Sequence, residues 1–161
     1  MFNLIEKIDS KSLLDFYYLI ESELVWQDSG PKGRQSGIQY KDNEDQFLSA
    51  TGRARFHDAQ FHNLNDVYKG TIIEELINKF SLCRTRWMWV NGYSCYSIHQ
   101  DVTPRIHIPL ITNQSCLFLF PPDKTFHLSR DNIYSVDTRQ FHTFINCSDN
   151  PRLHLVGAVL A

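Results

Sequence analysis

From Arg84 onward the chain is a succession of short apolar segments: RTRWMWV, CYSIH, RIHIPLI, SCLFLF, KTFHL, NIYSV, FHTFIN and RLHLVGAVL, with NG, PP and DNP among the residues between them. Segments this short, rich in aromatic and β-branched residues and bounded by turn formers, read as strands. Eight such strands in a row must cover one another and hide their edges. A jelly-roll or double-stranded β-helix barrel, cupin-like in outline, does both. The N-terminal half has another texture. From Asp9 to Leu24, Leu13, Phe16, Tyr17 and Ile20 recur at helical spacing, with Asp9 or Ser10 placed to cap. A second helix is expected from about Asn65 to Ser81, where Val67, Ile72, Ile73, Leu76, Ile77 and Phe80 make an apolar stripe; Gly70 weakens its start and moves its proper beginning to Thr71. The expected fold class is therefore mainly β with N-terminal helices (α+β). A single domain over 1–161 is expected, with 1–82 as helical and loop support and 83–161 as the double-stranded β-helix core.

Between the two helices, the polar, glycine-punctuated segment 28–59 is either a long functional loop with short strands or a surface excursion. Arg34, Gln35 and Gln39 in it are candidates for a substrate lid. Composition weighs against some functions. Apolar residues make up 42%, charged residues 21%, and the net charge is −2, with no broad basic footprint for nucleic acid or anionic membrane. No apolar run approaches the roughly 20 residues that span a bilayer. Cys83, Cys95, Cys116 and Cys147 show neither CxxC nor zinc spacing and read as buried thiols of a reducing compartment, so a cytoplasmic location is expected. The oligomeric expectation is a monomer or weak homo-oligomer.

Strand alternation sorts the ionisable residues by face. Arg105 and His107 share one face of RIHIPL, Arg152 and His154 one face of RLHLVGAVL, and His142, Phe144 and Asn146 one face of FHTFIN. These faces either line one barrel interior or meet solvent. His99 and Asp101, two apart at a strand end, can turn toward one point, and His142 from a distant strand would complete a two-histidine, one-carboxylate set. That set leaves coordination positions open and suits non-haem Fe(II). Arg152 is the tenth residue beyond His142, on the following strand. By itself it reads as a surface ion pair; after H-x-D and His it is placed to hold a dicarboxylate by a bidentate pair, as the distal carboxylate of 2-oxoglutarate requires.

The combination of H-x-D at His99–Asp101, R-x-H at Arg105–His107, and H-x(9)-R from His142 to Arg152 resembles the aspartyl/asparaginyl β-hydroxylase family of Fe(II)/2-oxoglutarate-dependent oxygenases. The resemblance covers about half the chain. It implies a double-stranded β-helix with His99, Asp101 and His142 as iron ligands, Arg152 on the distal carboxylate of 2-oxoglutarate, and His107 near its iron-chelating carboxylate. Arg105 would face the cosubstrate or an acidic group of the substrate. The implied activity consumes 2-oxoglutarate and O2, releases succinate and CO2, and hydroxylates an unactivated C–H of an amino acid or peptidyl residue of Asp, Asn or Pro type. The well-known vertebrate member lacks the acidic ligand that Asp101 supplies here, and its extra domains have no counterpart in this chain. Two other functions fit the same barrel: a non-catalytic cupin-like ligand-binding protein and a nucleic-acid demethylase. The latter usually carries a second arginine on the last strand, where this chain continues as LHLVGAVLA. Arg84 and Arg86 share a face and are candidates to assist the cosubstrate; Tyr93 and Tyr96 read as aromatic packing residues or as walls of a pocket mouth. His154 is read as a core hydrogen-bonding residue or support for Arg152, Asp137 as turn chemistry, and His57, His62 and His127 as surface residues.

Overall fold

The computed structural model describes residues 1–52 and 56–160; Arg53, Ala54 and Arg55, part of the polar segment discussed above, lie outside the described residues. The first half contains β1 (Phe2–Lys7), α1 (Ser10–Ile20), β2 (Gln27–Asp28), β3 (Gly33–Gly37), β4 (Gln39–Tyr40), β5 (Asn63–Leu64) and α2 (Ile72–Phe80). The second half is strands only: β6 (Leu82–Val90), β7 (Ser94–Cys95), β8 (Arg105–Ile111), β9 (Cys116–Phe120), β10 (Lys124–His127), β11 (Asn132–Val136), β12 (Thr143–Asn146) and β13 (Arg152–Val159).

Seven strands pair in the order β1-β11-β8-β13-β6-β3-β2 and four in the order β10-β9-β12-β7. The two sheets face each other as the walls of a jelly-roll, cupin-like double-stranded β-helix. Alternation divides the residues of the larger sheet between two environments. Ile106, Ile108, Leu110, Leu153 and Leu155 join Leu13, Tyr17, Ile73 and Ile77 of the helices in one core. The opposite face meets the four-stranded sheet, where Phe118, Phe120, Tyr134 and Phe144 form a second cluster. The helices thus seal one face of the larger sheet and leave the other free to line a cavity.

Local chemistry sets the helix ends. The Asp9 carboxylate accepts from the backbone N–H of Ser12 (3.1 Å) and caps α1. Thr71 caps α2 by accepting from Ile73 N–H (3.2 Å), and Ser81 ends it at φ 50°. The second helix is shorter than the apolar stripe predicts. A turn of 3-10 helix at Asp66–Tyr68 and Gly70 at φ 70° interrupt the stripe, so Val67 packs from outside the helix.

One strand departs from the sequence expectation. β1 adds itself to β11 in register Phe2↔Val136 to Lys7↔Asn132, although FNLIEK has no strict alternation to announce a strand. The polar segment supplies β2 and β3, which extend the larger sheet beyond β6. Arg34 and Gln35 are therefore sheet residues, and Gln39 is buried against β6, donating to Leu82 C=O (3.0 Å). At Gly33, φ is 138° and an added Cβ would lie 2.1 Å from the Trp89 carbonyl oxygen, so only glycine fits there. Cys83 and Cys116 are buried as expected, whereas Cys95 and Cys147 are exposed, on the short β7 and in the turn after β12. No helix among the described residues is long and apolar enough to cross a membrane.

Candidate metal centre and arginine-lined cavity

His99 and Asp101 lie between β7 and β8, and His142 immediately precedes β12. The backbone brings them together. His99 N–H donates to His142 C=O (3.0 Å), His142 N–H returns to His99 C=O (2.9 Å), and Asp101 N–H donates to Thr138 C=O (2.8 Å). The side-chain ligand atoms of the three residues all lie within 4.8 Å of one another. Each imidazole is oriented by the carbonyl two residues before it: His99 Nδ1 reaches Ser97 C=O (2.7 Å) and His142 Nδ1 reaches Gln140 C=O (3.0 Å). A carbonyl only accepts, so both Nδ1 atoms carry hydrogen and both Nε2 lone pairs are free. This is the support that a metal-binding histidine needs. Burial also lowers the pKa of His142, favouring the neutral, ligating form. Two imidazole nitrogens and one carboxylate fit a divalent first-row metal with positions left open, iron among them.

The three residues open onto a cavity of about 760 Å³ that Arg84, Arg86, Arg105 and Arg152 also line. All four arginines are buried. Asp58, itself buried, neutralises part of this charge. Its carboxylate accepts from Arg84 Nη1 (3.1 Å), Arg105 Nη1 (2.7 Å) and the Thr103 hydroxyl (2.5 Å). Burial raises the Asp58 pKa, but Arg105, Thr103 and Arg84 together outweigh it and hold the carboxyl down at about 2. Arg105 also pairs with Asp101 (Nε to Oδ2, 3.2 Å), so it orients a candidate ligand as well as facing the cavity. Arg84 is further held by the carbonyls of Ala50 (3.1 Å) and Gly52 (2.9 Å). Its backbone is at φ 49°, where β6 bulges and its register to β13 shifts.

Arg152 is 2% exposed and has no carboxylate partner among the described residues. Its Nη1 donates to His154 Nδ1 (2.5 Å), its Nε has no partner, and its guanidinium lies 3.5 Å from the centroid of Phe144. Burial lowers its pKa to about 10, which leaves it charged at neutral pH. A charge buried this way without an anion carries a desolvation penalty on the order of several kcal/mol, and an incoming carboxylate would relieve it. His107 stands nearby, with Nδ1 3.4 Å from His154 Nδ1 and its ring edge-on to Phe118. Burial, with Arg152 adding to it, pushes His107 and His154 well below the ordinary histidine pKa, so both are neutral.

The structure thus brings His99, Asp101, His142, Arg105, His107 and Arg152 to one cavity. Tyr96 lines it, whereas Tyr93 is 76% exposed. Asp137 pairs with Arg139 in a turn (2.7 Å). His57 and His62 are exposed and His127 is half-buried. Sequence reasoning missed Asp58 and the site role of Gln35, which accepts from Arg86 Nη1 (3.1 Å). Both lie in the polar segment, where no periodicity marks a buried side chain.

No protein-family model matches the chain. No curated protein matches it in sequence. Solved structures do. An oxidoreductase of the 2OG-Fe(II) oxygenase family from Burkholderia pseudomallei has a TM-score of 0.58 at 13% identity, over 90% of this chain and 76% of the other. The DMSP lyase DddQ from Ruegeria pomeroyi DSS-3 has a TM-score of 0.57 at 11% identity, over 98% of this chain and 66% of the other. IDO from Bacillus thuringiensis has a TM-score of 0.52 at 14% identity, over 98% and 89%. At such identities the likeness is one of fold. Proteins of different named activities share it, so function is argued from the site.

Proposed function

We propose that this chain is an Fe(II)- and 2-oxoglutarate-dependent dioxygenase, of the aspartyl/asparaginyl β-hydroxylase type, that hydroxylates an unactivated C–H of an amino acid or peptidyl residue. The observation that carries the proposal is Arg152: a buried guanidinium without a counter-anion, lining the same cavity as a His-Asp-His group whose Nε2 atoms are free. A dianion with one end on the metal and the other on Arg152 satisfies both at once. A monoanion or neutral ligand satisfies only one.

His99, Asp101 and His142 would hold the iron. Arg152 would clamp the distal carboxylate of 2-oxoglutarate through charge-assisted hydrogen bonds. When bound, iron and 2-oxoglutarate supply the oxidising chemistry, in which O2 and the 2-oxo acid are consumed, CO2 and succinate are released, and C–H becomes C–OH. The protein's share is placement and dryness. Arg105 holds Asp101 in position for the metal and is itself fixed by Asp58. Phe118 and Phe144 give the cavity apolar walls between His142 and Arg152 and limit water there. His107, kept neutral by burial, offers a hydrogen bond without adding charge beside the cosubstrate.

The decisive experiment is anaerobic addition of Fe(II) and 2-oxoglutarate to the protein, following the weak visible charge-transfer absorption of the chelate. The expected result is a band in the wild type, its loss in His142→Ala, and a large rise in the 2-oxoglutarate concentration needed to form it in Arg152→Gln. Absence of the band in a wild type that binds Fe(II) would defeat the proposal. Incubation with amino acids and peptides, scored by succinate release and a gain of one oxygen, then finds the substrate.

A further inference from the structure

Arg86 has no part in the scheme above. It is 7% exposed, its Nη1 donates to Gln35 Oε1 (3.1 Å) and Ala50 C=O (3.5 Å), and its Nε is buried without a partner. Among the described residues no carboxylate pairs with it. Arg84 and Arg105, its cationic neighbours in the cavity, already share Asp58. The cavity lining therefore sets four guanidinium groups against the carboxylates of Asp58 and Asp101. With a divalent metal on the ligand set and a dianion on Arg152, these groups still carry two more positive charges than negative ones, and Arg86 has no anion of its own. Burial and the charges of Arg84 and Arg105 bear against its ionised form, and an anion arriving there would relieve them.

Its place in the sheet separates it from the cosubstrate. Arg86 pairs with Val156 across β6 and β13, and His107 pairs with Val156 from the other side, making one row across three strands. Arg152 lies four residues farther along β13, so its backbone is roughly 14 Å from that of Arg86 at ordinary strand spacing. A cosubstrate stretched from the metal ligands to Arg152 runs past His107. Arg86 stands to the side of that track, beyond β13 and against β3.

We propose that Arg86, oriented by Gln35, is the docking point for a carboxylate of the substrate, so that the substrate is an acid rather than a neutral side chain. The α-carboxylate of a free amino acid and the side chain of an acidic residue share this chemistry. The proposal deepens the oxygenase assignment and rests on it for the identity of the ligand as substrate.

The test uses the full chain loaded with Mn(II) and 2-oxoglutarate, which assembles the site without turnover. L-aspartate, its α-amide, L-asparagine and the diamide are titrated calorimetrically, with L-proline and L-prolinamide as a second pair. A free acid is expected to bind and its fully amidated form to fail; whichever aspartate monoamide still binds identifies the carboxylate that Arg86 takes. Arg86→Gln should weaken binding about 10- to 100-fold while 2-oxoglutarate affinity stays unchanged, and Arg86→Lys should restore part of it. Equal binding of acid and amide overturns the proposal, as does failure of every carboxylate to bind a normally loaded protein. So does a loss of 2-oxoglutarate affinity in Arg86→Gln equal to that in Arg152→Gln, which would assign Arg86 to the cosubstrate. If Arg86→Gln does not fold, the wild-type comparison of acid with amide decides. A wild type that takes up no 2-oxoglutarate but still binds aspartate through Arg86 defeats the oxygenase assignment and leaves the anion site standing.

Discussion

The buried arginines differ in what holds them, and their variants should differ accordingly. Arg152 has only a neutral histidine and an aromatic face. Arg152→Gln should therefore raise the 2-oxoglutarate KM by about 10- to 100-fold without loss of iron binding, and it should cost little stability because it removes an unpaired buried charge. Asp58 is the opposite case. Asp58→Asn leaves Arg84 and Arg105 without their shared anion, and breaking a buried pair in this way costs about 3–5 kcal/mol; urea unfolding of the metal-free protein measures it. Much of this was legible from spacing. H-x-D and His142 stand out by residue type and spacing, although they lie just outside β7, β8 and β12, whereas Arg105, His107 and Arg152 fall in strands on faces that alternation predicts. Asp58 was not legible, because its burial depends on Arg84, Thr103 and Arg105 arriving from elements far away in the chain. Gln35 was hidden for the same reason.

At the level of elements, seven of the eight C-terminal strands follow the apolar segments that announce them, since each carries its own turn residues and alternation; β7 is the exception, covering Ser94–Cys95 and leaving most of CYSIH outside it. β1 was not announced, and β2 and β3 were foreseen only as unplaced short strands of the polar segment. They are short or polar and gain their hydrogen bonds from an edge that the other strands have already built. β3 depends on Gly33, where Trp89 of β6 leaves no room for a Cβ. Gly33→Ala should cost at least about 2 kcal/mol. It should also raise amide exchange along β3 while β8 and β13 stay protected, which hydrogen-exchange mass spectrometry resolves. Because β3 carries Gln35, the same variant should disturb Arg86 more than Arg152.

For the molecule as a whole, the buried titratable groups predict two steps of acid destabilisation in the metal-free protein. His107 and His154 have folded pKa values pushed below the ordinary 6.5, so the unfolded chain binds protons first and stability is lost as pH falls below about 6.5. Asp58, held at about 2 against an ordinary 3.8, contributes about 2 kcal/mol that is present above pH 4 and lost as pH falls from about 4 to about 2. Denaturant midpoints measured from pH 8 to pH 2.5 should fall through both windows, and Asp58→Asn should shrink the lower one, leaving the smaller share of the exposed Asp137–Arg139 pair. A midpoint independent of pH between 7 and 5 would contradict the neutral burial of the two histidines.

In the sheet order β1-β11-β8-β13-β6-β3-β2, β13 is the strand that joins two three-stranded ribbons. Before β13 docks, the larger sheet exists only as two separate ribbons, β1-β11-β8 and β6-β3-β2, joined by pairings between residues far apart in the chain, a topology that folds slowly. His99, Asp101 and His142 do not need β13 for their mutual backbone bonds, whereas Arg152 is its first residue. A half-folded chain can therefore assemble its metal ligands ahead of its anion clamp, and the strand that unites the ribbons is the one that brings the clamp in.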